Sequence, residues 1–270
     1  VNYDEIQGVI ADMDGVLWRG DEPLPGMDRF FALMHEAEMP FMLATNNSSK
    51  TRTDYINKLA KMGVTTVAES NIVTSGTATV DFLLREYPNG ADVQVLGGAG
   101  LVQMLTEAGF PLVERGAQVV VVGLDFDVTY DKLKRAVLDI RAGARFIATN
   151  PDPTFPSPEG LIPGNGALVA AVQTATDTEP AFMGKPHAPM FETALATMGT
   201  DAAHTLMIGD RLNTDIQGGA VLGMQTALLL SGVTTTDDMV NSDVQPTVAY
   251  ETLLDVVKAW DYRGGKRRRS

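Results

Sequence analysis

The chain has no cysteine among its 270 residues. That absence excludes a disulfide framework, an iron–sulfur cluster, a thiolate zinc site and a cysteine nucleophile. It also fits a reducing, cytoplasmic setting. Histidine is nearly as scarce, and His35, His187 and His204 stand too far apart to suggest a histidine metal cage. Apolar runs are short. None reaches the roughly 18 residues of a membrane-spanning helix and no signal-peptide pattern opens the chain, so neither a membrane span nor secretion is expected. Basic charge is also in short supply, with 21 Lys and Arg against 34 Asp and Glu and a net charge of −13. Five of the positive charges fall in Arg263–Ser270, so the body before them carries −18. A body that acidic is a poor nucleic-acid binder, because phosphate binding relies on Lys and Arg. The basic end itself reads as a loose, solvated tail.

What is present is an alternation of short apolar runs and amphipathic stretches. Ile6–Ala11 and Pro40–Thr45 read as buried strands, and 27–38, 51–62 and 75–87 as helices. Pro88-Asn89-Gly90 is a strong break. A second alternation follows, with strands at 93–96, 118–123 and 145–149 and helices at 101–108, 130–141 and 167–176. The run 118–123 is apolar enough to be covered on both faces. Four prolines between Pro151 and Pro158 predict a stiff, irregular loop. The first style then returns, with helices at 187–198, 215–222 and 252–260 and strands at 205–208 and 225–230. The expected fold class is α/β. A doubly wound parallel sheet is built from 1–88 and 183–270, interrupted by a second α/β domain over 89–182.

Four segments place polar residues at or beside strand ends: Asp12-Met13-Asp14-Gly15, Thr45-Asn46-Asn47, Gly184-Lys185-Pro186 and Gly209-Asp210 through Asp215. Ligands of open parallel sheets bind at the carboxyl ends of the strands, so these segments would converge if the strands are neighbours. Asp12 and Asp14, two residues apart in an extended turn, can meet one reacting atom from different directions, one as nucleophile and one as proton carrier. An Asp-rich turn of this kind can equally cap a helix. Asp210 and Asp215 add hard oxygen ligands without Cys or His, which points to Mg²⁺, although Asp215 could simply cap the helix after it. Pro186 biases Lys185 towards an extended conformation suited to a fixed target. Most lysines before proline are surface residues, and Thr45 and Asn46 taken singly are ordinary loop-capping groups.

Charge counting links the four segments. With Asp14 protonated, Asp12, Asp210, Asp215 and Lys185 leave the site at −2, which would repel a phosphate monoester. One Mg²⁺ brings it to zero, so phosphate chemistry here requires the metal.

In this order and spacing, D-M-D-G-V-L at 12–17, T-N-N at 45–47, G-K-P at 184–186 and G-D-R-L-N-T-D at 209–215 resemble the four motifs of the haloacid dehalogenase-like hydrolase superfamily. The branch resembled is the NagD-like, 4-nitrophenylphosphatase group. Ala148-Thr149-Asn150-Pro151-Asp152 and Ile162-Pro163-Gly164-Asn165-Gly166 are similar to that group's inserted cap. The resemblance implies a Rossmann-like hydrolase core, an α/β cap over 89–182, and hydrolysis of small phosphate monoesters through an aspartyl-phosphate. Asp12 would be the nucleophile and Asp14 the acid and base. Lys185 would neutralise charge on Asp12 and the phosphoryl group. Thr45 and Asn46 would bind phosphate. Mg²⁺ would be held by the Asp12 side chain, the Asp14 carbonyl and Asp210, with Asp215 in support. A homodimer through the cap is compatible with this branch.

Two rivals fit less well, and a third, closer one stays open. A phospho-acceptor switch domain is much shorter and carries its acceptor Asp on a later strand. A dinucleotide-binding fingerprint at Gly97–Gly100 fails because Gln103 stands where a third Gly or Ala belongs. A phosphomutase of the same superfamily would differ only in its phosphate acceptor. The cap should choose the substrate. The loop 152–160 is its candidate surface, with Asp152 and Phe155 as substrate contacts, Phe155 either stacking on the substrate or packing within the cap. Phosphoglycolate, pyridoxal phosphate, nucleotide and sugar phosphate all remain open as substrate classes.

Overall fold

The computed structural model describes residues 1–157 and 159–267. They form two compact units. The first comprises 1–45, 52–73 and 191–270, and the second 46–51 and 74–190.

The first unit is built on a six-stranded sheet in the order Val248–Tyr250, Gln225–Leu229, Thr205–Gly209, Gly8–Ala11, Phe41–Thr45, Ile72–Thr74. Every pairing from Val248–Tyr250 across to Phe41–Thr45 is parallel. Alternate residues of these strands leave on opposite faces. Ala227 and Leu229 join a large cluster with Val9, Ala11, Leu43, Leu206 and Ile208, whereas Leu228 packs with Leu212 and Ile216. The large cluster is closed by helices whose apolar residues recur at helical spacing. Met27–Glu36 contributes Met27, Phe30, Phe31 and Met34, and Leu253–Arg267 contributes Leu253, Val256, Val257 and Trp260. That last helix continues past its expected end at Trp260. Once its first two turns are anchored in the core, each further residue costs little compared with nucleation. The basic tail therefore begins inside a helix, and its last three residues lie outside the described residues.

The second unit holds a four-stranded parallel sheet in the order Ala181–Phe182, Arg145–Ala148, Val119–Val122, Val93–Leu96. The valine run is wholly buried. Val119 and Val121 pack into one cluster with Leu83, Val93, Leu101 and Leu105, while Val120 and Val122 pack into another with Ala136, Ile140, Phe146 and Val172. Leu83 of the helix Ser75–Glu86 and Met183 both belong to the first of these clusters. Pro88 and Met183 thus bracket the inserted sheet, while the compact unit extends beyond both.

The expectation of an irregular loop at 151–158 is overturned over Thr154–Ser157, while Pro158 lies outside the described residues. Thr154–Ser157 pairs antiparallel with Gly160–Pro163, with Phe155 opposite Ile162 and Pro156 opposite Leu161. Proline lacks only the N–H, and a two-stranded ribbon is all edge, so it tolerates prolines that a central strand would not. No helix among the described residues is long and apolar enough to cross a membrane.

Leu105 is 0% exposed between helix and sheet, and Leu138 on the helix Tyr130–Arg141 is 53% exposed. Leu105→Ala is expected to lower stability by about 2–5 kcal/mol through lost transfer energy and a residual cavity. Leu138→Ala should stay within about 0.5 kcal/mol. Denaturant unfolding of the two variants beside wild type reads both.

Candidate active site

Gly8–Ala11 lies between Phe41–Thr45 and Thr205–Gly209, and all three strands run parallel. Their carboxyl ends therefore share one edge of the sheet. Asp12 follows the first strand, Thr45 ends the second and Asp210 follows the third. The Asp12 N–H donates to the Ile208 carbonyl at 2.8 Å, so hydrogen bonding between these strands carries on to the residue that bears the carboxylate.

Asp12, Asp210 and Asp215 are all buried, and each offers a carboxylate oxygen within 4.8 Å of the others. Asp215 arrives from the single π-helical turn Leu212–Ile216, where one carboxylate oxygen accepts from the Arg211 N–H at 3.1 Å. Asp210 accepts from the Val233 N–H at 2.8 Å, and its main-chain carbonyl from the Thr234 N–H at 3.1 Å. Two glycines make room for it. A Cβ on Gly15 (φ +89°) would stand 2.3 Å from Asp210 Oδ2, and one on Gly232 would stand 1.9 Å away. Three like charges at this separation repel by about 3 kcal/mol per pair at an effective dielectric of about 20. Buried carboxylates in such a group are stabilised by a cation, and an all-oxygen set suits a hard divalent one. The residues present fit a metal of that kind.

Asp14 differs from its neighbours. It is exposed, and its carboxylate accepts from the Trp18 indole N–H at 2.8 Å. Trp18 is fully buried. It stacks on Tyr55 with ring centroids 6.4 Å apart and carries the Lys58 ammonium 4.6 Å over its face. Burial, together with the Asp14 and Asp12 carboxylates, holds the Tyr55 phenol far above its ordinary range, against a hydrogen bond with Thr45 that works the other way. Tyr55 is therefore a protonated hydroxyl at any working pH. Neither Trp18 nor Tyr55 was marked by sequence reasoning. The spacing of Trp18, four residues after Asp14 across a tight turn, was the available signal.

Lys185, Asn46, Asp152 and Phe155 belong to the second unit. Lys185 is 2% exposed, so it is not a surface lysine. Its peptide to Pro186 is cis. Asn46 is bonded to the Lys185 main chain and to the Asp152 carboxylate. Phe155, half-buried, packs edge-on against Phe126 at 5.7 Å within the same unit. Asn150 and Asn165 also join the Asn46 network, through Asn150 Nδ2 to the Asn46 carbonyl at 2.7 Å and Asn165 Nδ2 to the Asn150 carbonyl at 2.7 Å. Both asparagines lie in cap-like segments of the sequence, yet no local spacing singles them out.

Comparison with known proteins accords with this geometry. Residues 9–111 match the haloacid dehalogenase-like hydrolase family and residues 182–256 the HAD-hydrolase-like family. The acid sugar phosphatase of Staphylococcus aureus (strain USA300) is 38% identical over 254 residues, covering 94% of this chain and 97% of that protein. The 4-nitrophenylphosphatase of Thermotoga maritima superposes with a TM-score of 0.91 at 34% identity, covering 96% of this chain and 98% of that one. NagD of Escherichia coli K-12 gives 0.86 at 34%, covering 93% and 98%. The chain belongs to the haloacid dehalogenase-like hydrolases, in the branch of NagD and the 4-nitrophenylphosphatases, and is a phosphoric monoester hydrolase.

Proposed function

We propose that the chain is a Mg²⁺-dependent phosphatase of small phosphate monoesters that works through an aspartyl-phosphate on Asp12. The observation that carries this reading is the buried Asp12–Asp210–Asp215 group at a sheet edge, with Asp14 held two residues away by a tryptophan N–H. Mg²⁺ held by Asp12, Asp210 and the Asp14 carbonyl, with Asp215 in support, would neutralise charge on the phosphoryl group and so allow a carboxylate to approach it.

In this reading one Asp12 oxygen attacks phosphorus in line as the ester P–O bond breaks. Asp14 gives its proton to the departing alkoxide. It then takes a proton from the water that attacks the aspartyl-phosphate, which returns Asp12 and inorganic phosphate. Two carboxylates suit two duties because their surroundings differ: Asp12 is buried among acids, whereas Asp14 is exposed and aimed by Trp18. Thr45 offers a hydroxyl to the phosphate and Lys185 a positive charge. The segment 89–182 would act as the cap that selects the leaving group, with Asp152 and Phe155 as its substrate contacts. Sugar phosphates head the substrate classes to test, because several relatives are named acid sugar phosphatases. A homodimer through the cap belongs to the same proposal.

The deciding experiment is phosphate release from a panel of sugar phosphates, nucleotides, phosphoglycolate, pyridoxal phosphate and 4-nitrophenyl phosphate. Release is expected with Mg²⁺, with none under chelator and full recovery when Mg²⁺ returns. Asp12→Asn should lose about 10³-fold or more in kcat, since it removes the nucleophile. Wild-type turnover by that variant would overturn the assignment. Transfer of phosphate within a sugar, with no inorganic phosphate released, would make the chain a mutase.

Trp18→Phe keeps an aromatic ring, smaller than the indole, and deletes the N–H. The loss of the hydrogen bond that aims Asp14 should lower kcat about tenfold with little change in KM. Steady-state kinetics on the best ester reads it.

A further inference from the structure

The Asn46 side chain is committed before any substrate arrives. Its Oδ1 accepts from the Lys185 N–H at 2.8 Å, and its Nδ2 donates to the Lys185 carbonyl at 2.9 Å. One amide thus grips both main-chain groups of a single residue, as a neighbouring strand would. The same Nδ2 donates to Asp152 Oδ1 and Oδ2, both at 3.1 Å. Two hydrogens already serve three oxygens. The orientation of the amide follows from these partners, because a reversed amide would set its oxygen against three others.

The surroundings hold Asn46 in place. Its own carbonyl accepts from Ser75 Oγ at 2.5 Å and Asn150 Nδ2 at 2.7 Å. Asp152 is held from its main chain, its N–H donating to Asn150 Oδ1 at 3.1 Å. The glycine before Lys185 is explained by the same contact. A Cβ on Gly184 would lie 2.6 Å from Asn46 Oδ1 and 2.7 Å from the Thr149 carbonyl, so any other residue would displace the amide.

From this network we infer that Asn46 is a positioning residue. Its side-chain amide clamps the main chain of Lys185 and holds the Asp152 carboxylate, fixing the root of the lysine and the aim of the cap acid. This rests on the reading of Lys185 as the cation that faces the phosphoryl group. It replaces side-chain donation from Asn46 to the phosphate. A phosphate oxygen could take that amide only by displacing the buried Lys185 carbonyl or a half-buried Asp152 oxygen from its donor, which costs an existing hydrogen bond. The T-N-N and G-K-P motifs, 139 residues apart, then act as one device.

The test is a double-mutant cycle on 4-nitrophenyl phosphate with Mg²⁺, using Asn46→Ala, Lys185→Met and the pair, with inhibition by inorganic phosphate measured beside kcat and KM. Lys185→Met is expected to lower kcat/KM by about 10²-fold or more, and Asn46→Ala by about 10- to 100-fold. Because Asn46 acts through Lys185, the double variant should fall within about twofold of Lys185→Met alone, and the phosphate inhibition constants should show the same non-additivity. Losses that multiply would mean that Asn46 meets the phosphate independently, and the inference fails. Activity of Asn46→Ala within about twofold of wild type also overturns it. Full activity of Lys185→Met would instead overturn the lysine assignment made above. Circular dichroism checks folding. If Asn46→Ala does not fold, the cycle is run with Asn46→Asp, which keeps the acceptor for the Lys185 N–H and sets an oxygen against the Lys185 carbonyl and Asp152. If neither variant folds, Asn46 is a structural tie only and the inference falls.

Discussion

Repulsion among Asp12, Asp210 and Asp215 is the constraint on which the first unit turns. Carboxylates do not gather in a buried space unless the backbone forces them to and something offsets the cost. Here the force comes from hydrophobic burial of a parallel sheet. Val9, Ala11, Leu206 and Ile208 must stay in the core, and once they do, the residues after Ala11 and Gly209 have nowhere to go but the same edge. The offset comes from main-chain N–H groups of Arg211 and Val233 and from glycines that leave space, and the remaining charge makes a donor set that suits a hard divalent cation. The stability of the sheet is thereby converted into a concentration of negative charge at one end of it.

The second unit solves a different problem. Its valine core is apolar on both faces, but the chain entering and leaving it is rich in asparagine, threonine and serine. Each buried polar group there needs a partner. The network of Asn46, Asn150, Asn165, Thr149 and Ser48 supplies most of them from segments more than a hundred residues apart, a few residues after the strand Ala181–Phe182, and leaves Asn165 Oδ1 as its one unpartnered buried oxygen among the described residues. Four of its bonds converge on Asn46, which ties the main chain of Lys185 from both sides.

The strands 8–11, 41–45, 93–96, 119–122 and 145–148 were legible because apolar runs bounded by turn residues have few other uses. Ile72–Thr74, Ala181–Phe182 and Val248–Tyr250 were not, since two or three residues are too few to show a period. The hairpin 154–163 was hidden by its own prolines, which signal a loop everywhere except at an unpaired edge. Asp12, Asp14, Asp210 and Lys185 stood out through motif order. Trp18 and Tyr55 did not, because an aromatic residue near an acid reads as core until a hydrogen bond or a shared burial is seen.

By itself the sequence determined the alternation of elements, the acidic body, the absence of thiol chemistry and the four motifs that place this chain in its family. These are local or additive properties, set by residue type and spacing. Tertiary structure alone decided that Asp210 and Asp215, 198 and 203 positions after Asp12, would meet it within 4.8 Å, that Asp14 would be aimed by an indole, and that an asparagine and a lysine 139 positions apart would share an amide clamp. Hydrogen bonds and Coulomb forces act over a few ångströms, and which groups lie that close is settled only when the chain has closed on itself.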